Sequence, residues 1–385
     1  MNNIVLQPQP LKQAPYQVER NSQSLKPKIQ IEKIVGQGDP ALYMSGQGTF
    51  EKVARIGLST ERESDIDYNL ARRIHREMQE PNFDAGGNIP NILAIASMLG
   101  TPTVLYGVVG KDPWGEVFKQ HAHNVGIDAK LTELPNKATR FIQFMVMPNG
   151  EAASGAMTGT TREIVDLPNN ATKDSKFFIT KASFLFHRDK NAHKVRKALV
   201  DAKANGAKTI IHLQNMQQGN KSDIVVPILE SLMKENLIDM FIGSQNEMQS
   251  LFRLKDDDNG ILVDRDVIKE RIIHEAIKNG RHFVFTSDKN GATIVNKGKI
   301  TRIPAENIDN PKDTTGAGDS FAGGYLSALS RGLDDDQAGE IASLVAAQCV
   351  QKRGSSPTQP SLKPIRKTME LLMKSKAQDI AFAKA

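Results

Sequence analysis

Four short apolar runs, Ser183–Phe186, Thr209–Leu213, Ile238–Ile242 and His282–Phe285, recur through the second half of the chain, with helical stretches around 192–204, 222–236 and 265–279 between them. This rhythm restricts the fold more than any other feature. Strand, helix, strand in this rhythm implies a mainly parallel sheet with helices on both faces. The first half keeps the same beat. Ile31–Gly38 reads as a buried strand ending in glycines, and Ile66, Leu70, Ile74 and Met78 have helical spacing. After Gly86-Gly87, residues Ile92, Ile95, Ala96 and Leu99 mark one helix face. Thr103–Val109 is β-rich, and a helix covers Phe118–Val125 with Pro113 near its start. Two stretches break the rhythm: Ala41–Ile56 and Thr139–Met157 are strand-like without a helix between their halves. The second carries Pro148-Asn149-Gly150, a hairpin signal. Together they predict a small β-element standing off the main sheet.

Composition narrows the class. The 385 residues would fit one large α/β domain or two ordinary ones, and 39% hydrophobic with 24% charged residues can support a sizeable core. The net charge of +6 belongs to the ends. Residues 1–33 hold five Lys/Arg against two Glu, and residues 363–385 hold six against two acids, so the body is near −1. A nucleic-acid-binding body would carry its basic residues on its elements, so no nucleic acid is expected as partner. Cys349 is the only cysteine, which excludes an intrachain disulfide and a Cys-based metal site, and it reads as a small apolar helix residue. No run of 18 apolar residues exists and the N-terminus lacks a signal-like apolar stretch, so no membrane is expected and a cytoplasmic location is. Residues 1–30 read as a flexible extension and 363–385 as a basic amphipathic helix. The Asp runs at 256–258 and 334–336 read as a solvated loop and an acidic helix start.

The sharpest local feature is Asp313-Thr314-Thr315-Gly316-Ala317-Gly318-Asp319, running into Ser320-Phe321-Ala322-Gly323-Gly324. Ala322, Leu326 and Leu329 share a helix face, so a glycine turn opens directly onto a helix N-terminus. Free backbone N–H groups and the positive end of the helix dipole make such a turn an anion site. Asp319 would repel a phosphate there unless it takes a proton from an attacking hydroxyl. The pair suggests phosphoryl transfer to an alcohol. On its own, a GxGD turn could equally be a helix start with an N-capping Asp.

The full run resembles the C-terminal signature of the PfkB/ribokinase family of carbohydrate and nucleoside kinases, and the resemblance extends from about Ile34 to Pro360. Asp84-Ala85-Gly86-Gly87-Asn88-Ile89-Pro90-Asn91 is similar to the family's N-terminal signature, and Gly107–Gly115 to its GxxGxDxxG segment. The resemblance implies an α/β fold: a three-layer α/β/α kinase domain over 31–362 with a mainly parallel central sheet and a β lid from about 41–56 and 139–158. It implies Asp319 as base with Gly316, Ala317 and Gly318 as the anion hole. It also implies acceptor contacts at Gly86, Gly87, Asn91 and position 43, and nucleotide contacts at Asn215, Asn246, Thr286, Asp288, Gly291 and Thr315. ATP and Mg²⁺, with a monovalent cation such as K⁺, would be the cofactors, a nucleoside or sugar the acceptor, and the lid strands a homodimer contact. The long stretch between Gly36/Gly38 and Gly86-Gly87, with GQGDPALYMS, is most similar to the adenosine kinase-like branch.

Four positions depart from that pattern. Tyr43 stands where the family has an acceptor-gripping Asp, and a phenol cannot accept two hydroxyl hydrogen bonds as a carboxylate does. Asp39, close by, reads as capping the turn. The family's Asn-x-x-Glu motif starts at Asn246 and ends in Gln249, which removes charge that would draw hydrated Mg²⁺, while Glu247 lies two positions early. Asp288 stands where the nucleotide loop usually has glycine. The strand ending Ile211-His212-Leu213-Gln214-Asn215 lacks the Asp often found two before its Asn. His187, after the run FLFH, is either a cleft residue or a structural one. Two readings follow: an active small-molecule kinase, or an impaired kinase-fold protein that works by nucleotide or protein binding.

Overall fold

The computed structural model describes residues 31–60, 64–149, 151–214, 216, 221–255, 257–258, 261–262 and 264–382, without the side chains of 187–190, 257–258, 261–262 and 376–382. Asn215 and the extension over 1–30 lie outside the described residues, as does the side chain of His187.

The chain begins with β1 (Lys33–Gln37), then β2 (Ala41–Gln47), α1 (Phe50–Ile56), β3 (Ser64–Asp65), α2 (Tyr68–Glu77), β4 (Gln79–Gly86) and α3 (Asn88–Met98). It continues through β5 (Thr103–Gly110), α4 (Pro113–Asn124), β6 (Asp128–Leu134), β7 (Arg140–Val146), β8 (Ala152–Met157), β9 (Ser175–Lys181) and a 3-10 helix over Ala182–His187. Next come α5 (Arg188–Ala204), β10 (Lys208–His212), α6 (Lys221–Lys234), β11 (Met240–Ser244) and α7 (Gln245–Leu251). A short hairpin, β12 (Asp257–Asp258) and β13 (Ile261–Leu262), leads to α8 (Arg265–Asn279), β14 (His282–Thr286), β15 (Ala292–Asn296) and β16 (Lys299–Ile303). The chain closes with α9 (Ala317–Ser330), α10 (Asp335–Val350) and α11 (Gln359–Phe382).

Nine strands form the main sheet in the order β16-β15-β14-β11-β10-β9-β1-β5-β6. β14 through β6 are parallel, and β15 and β16 add an antiparallel edge. Successive residues enter opposite cores: Ile34, Phe177, Ile210 and Met240 face one cluster, and Val35, Phe178, Ile211 and Phe241 the other. Burial on both faces explains why these strands read as continuous apolar runs. Helices α3, α9, α10 and α11 cover the first face and α5, α6 and α8 the second. At Gly323 a Cβ would come within 2.7 Å of Ile92 O, so Gly323 lets α9 lie against α3, while Gly324 faces Val345 and Ala342 of α10. Among the described residues no helix is long and apolar enough to cross a membrane.

A second sheet of five strands, β3-β8-β7-β2-β4, stands beside the first. It contains the expected hairpin, β7–β8, and also β4, which the sequence did not mark. Two expectations need correction. Ala41–Ile56 is not strand throughout: after β2, Thr49 caps α1 by accepting from Lys52 N. Ser183–Phe186 is not a core strand; it lies in the 3-10 helix, and the strand is β9 just before it. Ser183–Phe186 is apolar and short, where periodicity alone cannot separate helix from strand. In the second Asp run, Asp334 caps α10 in a capping box with Gln337.

Candidate active site

β1 has β9 on one side and β5 on the other, so the strand order reverses there, and open α/β sheets bind ligands beyond the strand ends at such a point. The carboxyl ends of β10, β11 and β14 border a cleft of ≈ 250 Å³ lined by His212, Gln214, Ser244, Glu247 and Thr286. Its opposite wall is the start of α9, with Gly316, Gly318 and Asp319, and Asn88 completes it from α3.

The glycine turn has a physical reason at each position. Gly316 is left-handed (φ +78°), and a Cβ there would lie 2.0 Å from Ser355 O, so only glycine fits. An added Cβ at Gly318 would meet nothing within 4 Å and would project into the open cleft. The first N–H groups of a helix lack intrahelical partners, so the start of α9 presents donors to the cleft. Ala317 contributes less than expected, because its N–H donates to Thr314 O at 3.2 Å. Thr315 N and Gly354 N both donate to the Asp313 carboxylate, which braces the turn from behind.

Asp319 is buried and held by two amides. Asn91 Nδ2 donates to Oδ2 at 2.9 Å, and Asn88 Nδ2 reaches Oδ1 at 3.1 Å and Oδ2 at 3.4 Å. Burial raises its pKa above the ordinary Asp value; His212, Asn91 and Asn88 oppose the shift and Glu247 adds to it. Asn91, expected to touch the acceptor, is thus bonded to Asp319. It reaches there because Gly87 (φ +111°) starts α3 with its Cα against Asp39 O, where a Cβ would come within 2.3 Å.

The part of the site expected to meet the acceptor is built differently. Tyr43 on β2 is half-buried, with its ring near Phe144 and over Gly86. Burial pushes its hydroxyl pKa up, and Asp39, Asp319 and Asp84 push the same way against Arg140. Asp39 does not cap the turn with its side chain. It is buried between Lys181, at the end of β9, and Arg140 on β7, whose Nη1 is 3.0 Å from Oδ2. Burial would raise the Asp39 pKa, but the two cations outweigh it and hold it low. Asp84 is bonded to Ser355 N and Oγ, each at 3.0 Å, which ties β4 to the loop behind the glycine turn.

Among the residues expected to meet the nucleotide, Thr286 faces the cleft and Gly291 (φ +78°) closes the turn after β14. Asp288 is exposed, and Arg265 Nη2 is 3.2 Å from its Oδ2. Asn246 and Gln249 stand apart from the cleft lining: Asn246 is exposed on α7, and the Gln249 amide donates to Leu254 O. The carboxylate that does face the cleft is Glu247, which accepts from Ser244 N at 2.8 Å. Sequence reading passed over Asn88, His212, Gln214, Lys181 and Arg140 as site residues. His212 did carry a signal, since it ends a core strand on the ligand side of the sheet.

Compared with known families, residues 51–362 match the pfkB family of carbohydrate kinases. This chain belongs to the pfkB family. Membership makes it a small-molecule kinase, a phosphotransferase with an alcohol group as acceptor. The pfkB chain is 26% identical over 332 residues to the 5-dehydro-2-deoxygluconokinase of Halalkalibacterium halodurans, covering 81% of this chain and 96% of that one. It is 23% identical over 300 residues to the adenosine kinase of Schizosaccharomyces pombe, covering 71% and 82%. The crystal structure of adenosine kinase from Sinorhizobium meliloti superposes with a TM-score of 0.74 at 19% identity over 88% of this chain and 100% of that one, a likeness of fold. The ribokinase-like α/β architecture is therefore shared with sugar and nucleoside kinases alike.

Proposed function

We propose that this protein transfers the γ-phosphoryl group of ATP to a hydroxyl of a nucleoside or sugar-like acceptor, with Asp319 as general base. The observation that carries the reading is the pairing of the buried Asp319 carboxylate with the open turn at Gly316–Gly318 on one cleft wall. Two asparagine amides orient the carboxylate, and burial raises its proton affinity toward what a base needs. The turn's amides stabilise charge on the moving phosphoryl group, the main requirement in this chemistry. The five-stranded sheet acts as a lid over the acceptor, excluding water so that ATP is not spent on hydrolysis.

The departures in the motifs have local compensations that favour turnover over the impaired reading. Arg265 faces the charge that Asp288 introduces. Glu247 places a carboxylate on the cleft wall that Gln249 does not. Among the described residues no group of three or more His, Cys, Asp or Glu could hold a metal alone, which fits a Mg²⁺ carried on ATP phosphates with one or two carboxylates beside it. Glu247 would be that carboxylate, and the ion, when bound, neutralises phosphate charge. A cytoplasmic location suits ATP as donor. Strand β4, a free edge of the lid sheet, is where a second copy would pair.

The test is acceptor-dependent ADP release from the purified protein with Mg²⁺, ATP and a panel of adenosine, ribose, fructose and 5-dehydro-2-deoxygluconate. Asp319→Ala should lower the best rate by roughly 10² to 10⁴. A wild-type rate no higher than that of the variant would rule the reading out.

A further inference from the structure

His212 ends β10 on the cleft wall opposite the start of α9, and nothing in the family motifs read from the sequence gives it a task. Its Nε2 is 3.9 Å from Asp319 Oδ1, and both side chains are more than nine-tenths buried. That separation is too long for a direct hydrogen bond. It does match the gap that one hydroxyl oxygen would fill, about 2.8 Å from each atom.

The two oxygens of Asp319 are not equivalent. Oδ2 accepts from both Asn91 and Asn88, whereas Oδ1 accepts only from Asn88. Oδ1 therefore keeps a lone pair, and it is the oxygen that faces His212. On the far side of the imidazole, Nδ1 is buried and has no hydrogen-bond partner among the described residues. A histidine kept only for packing would be expected to satisfy its ring nitrogens, since unpaired buried polar atoms are costly.

We propose that His212 is the acceptor-positioning residue of this kinase: the acceptor hydroxyl is held between Asp319 Oδ1 and His212 Nε2. The assignment rests on the kinase reading given above and adds to it the group that aims the nucleophile. The hydroxyl donates its proton to Oδ1 while one of its oxygen lone pairs accepts from the Nε2–H. Its other lone pair attacks the γ-phosphorus. The new O–P bond forms, the bond from the γ-phosphorus to the bridging oxygen breaks, ADP leaves, and the hydroxyl proton remains on Asp319. His212 keeps its own proton throughout, so its work is orientation. The same clamp compensates for Tyr43, because a hydroxyl fixed at the reacting atom needs less help from a grip elsewhere on the acceptor.

His212→Leu removes the donor and keeps the volume, while His212→Gln keeps an N–H within reach of the Nε2 position. Both would be assayed for ADP release with the best acceptor among adenosine, ribose, fructose and 5-dehydro-2-deoxygluconate. ATP affinity would be measured by titration calorimetry and folding by thermal melting. The expected result is a loss in kcat/KM for the acceptor of roughly 100-fold in His212→Leu. The glutamine variant should recover most of that loss, with ATP affinity unchanged in both. Wild-type turnover left intact by His212→Leu overturns the assignment alone. So does equal loss in both variants, or a matching loss of ATP affinity, because either marks a structural role. A wild-type chain that phosphorylates none of the acceptors overturns the kinase reading and this assignment with it.

Discussion

In the proposed reaction Asp319 parts a nucleotide side from an acceptor side, and the two are built on opposite principles. Toward the nucleotide the wall is backbone: a left-handed glycine, an unobstructed glycine and the free amides of a helix start. Toward the acceptor the wall is side chain: Tyr43, Asn91 and the buried group of Asp39, Lys181 and Arg140, drawn from four different elements. A backbone site demands particular residues at consecutive positions, so it leaves a contiguous motif. A side-chain site can exchange partners across strands, which is how a tyrosine can replace an aspartate while the fold around it stays the same.

The largest expected effect breaks the backbone side. Gly316→Ala puts a Cβ 2.0 Å from Ser355 O in a left-handed residue, so the turn must shift and acceptor-dependent ADP release should fall by roughly 100-fold or more. On the acceptor side, Asp39→Ala leaves two cations buried without the carboxylate they share. Urea unfolding should show a loss of about 3–5 kcal/mol, and a loss below about 1 kcal/mol would mean that the group is not a buried ion cluster.

A pH profile probes the boundary between the two sides. In the proposed role Asp319 would act as a base only when ionised, and its pKa lies above the ordinary Asp value. The acidic limb of kcat/KM should therefore fall at a higher pH than an ordinary aspartate would give. Asn91 opposes that shift by donating to the carboxylate, so Asn91→Ala should move the limb further up. Movement in the other direction would contradict the hydrogen bond.

Smaller effects sharpen the nucleotide side. Gly318→Ala meets no neighbour, so its melting temperature should match the wild type, while a methyl group in the cleft weakens ATP about tenfold in a titration. Arg265→Ala removes an exposed partner of Asp288 and should raise the KM for ATP only a few-fold, in keeping with the roughly 0–1 kcal/mol of such pairs. A change beyond tenfold would place Arg265 in direct contact with the nucleotide.

Much of the frame was legible in the chain. Period and burial marked β10, β11 and β14 and the helices between them, because a doubly buried parallel strand must be continuously apolar. Strand β4, with its exposed run Gln79–Phe83, escaped notice because one edge and much of its surface face solvent. Asn246 and Gln249 belong to a motif in sequence yet turn away from the cleft, whereas Glu247, which closes the capping box of α7 with Ser244, faces it. Which face of a seven-residue helix meets a ligand depends on how its first turn leaves the preceding strand, and that angle is not written in the spacing.

The sequence by itself determined the fold class, the glycine turn and its aspartate, since each depends on local steric rules that only certain residues satisfy. The tertiary structure alone decided what surrounds that aspartate. Asn88, Asn91 and His212 lie more than a hundred residues from Asp319 in the chain and meet it because α3, β10 and α9 converge at the carboxyl edge of the sheet. Asp39 finds Arg140 and Lys181 in the same way, where the reversal of strand order brings the ends of β1 and β9 together. Charges and amides separated this far in sequence leave no periodic trace, and only the closed packing of the layers sets their distances.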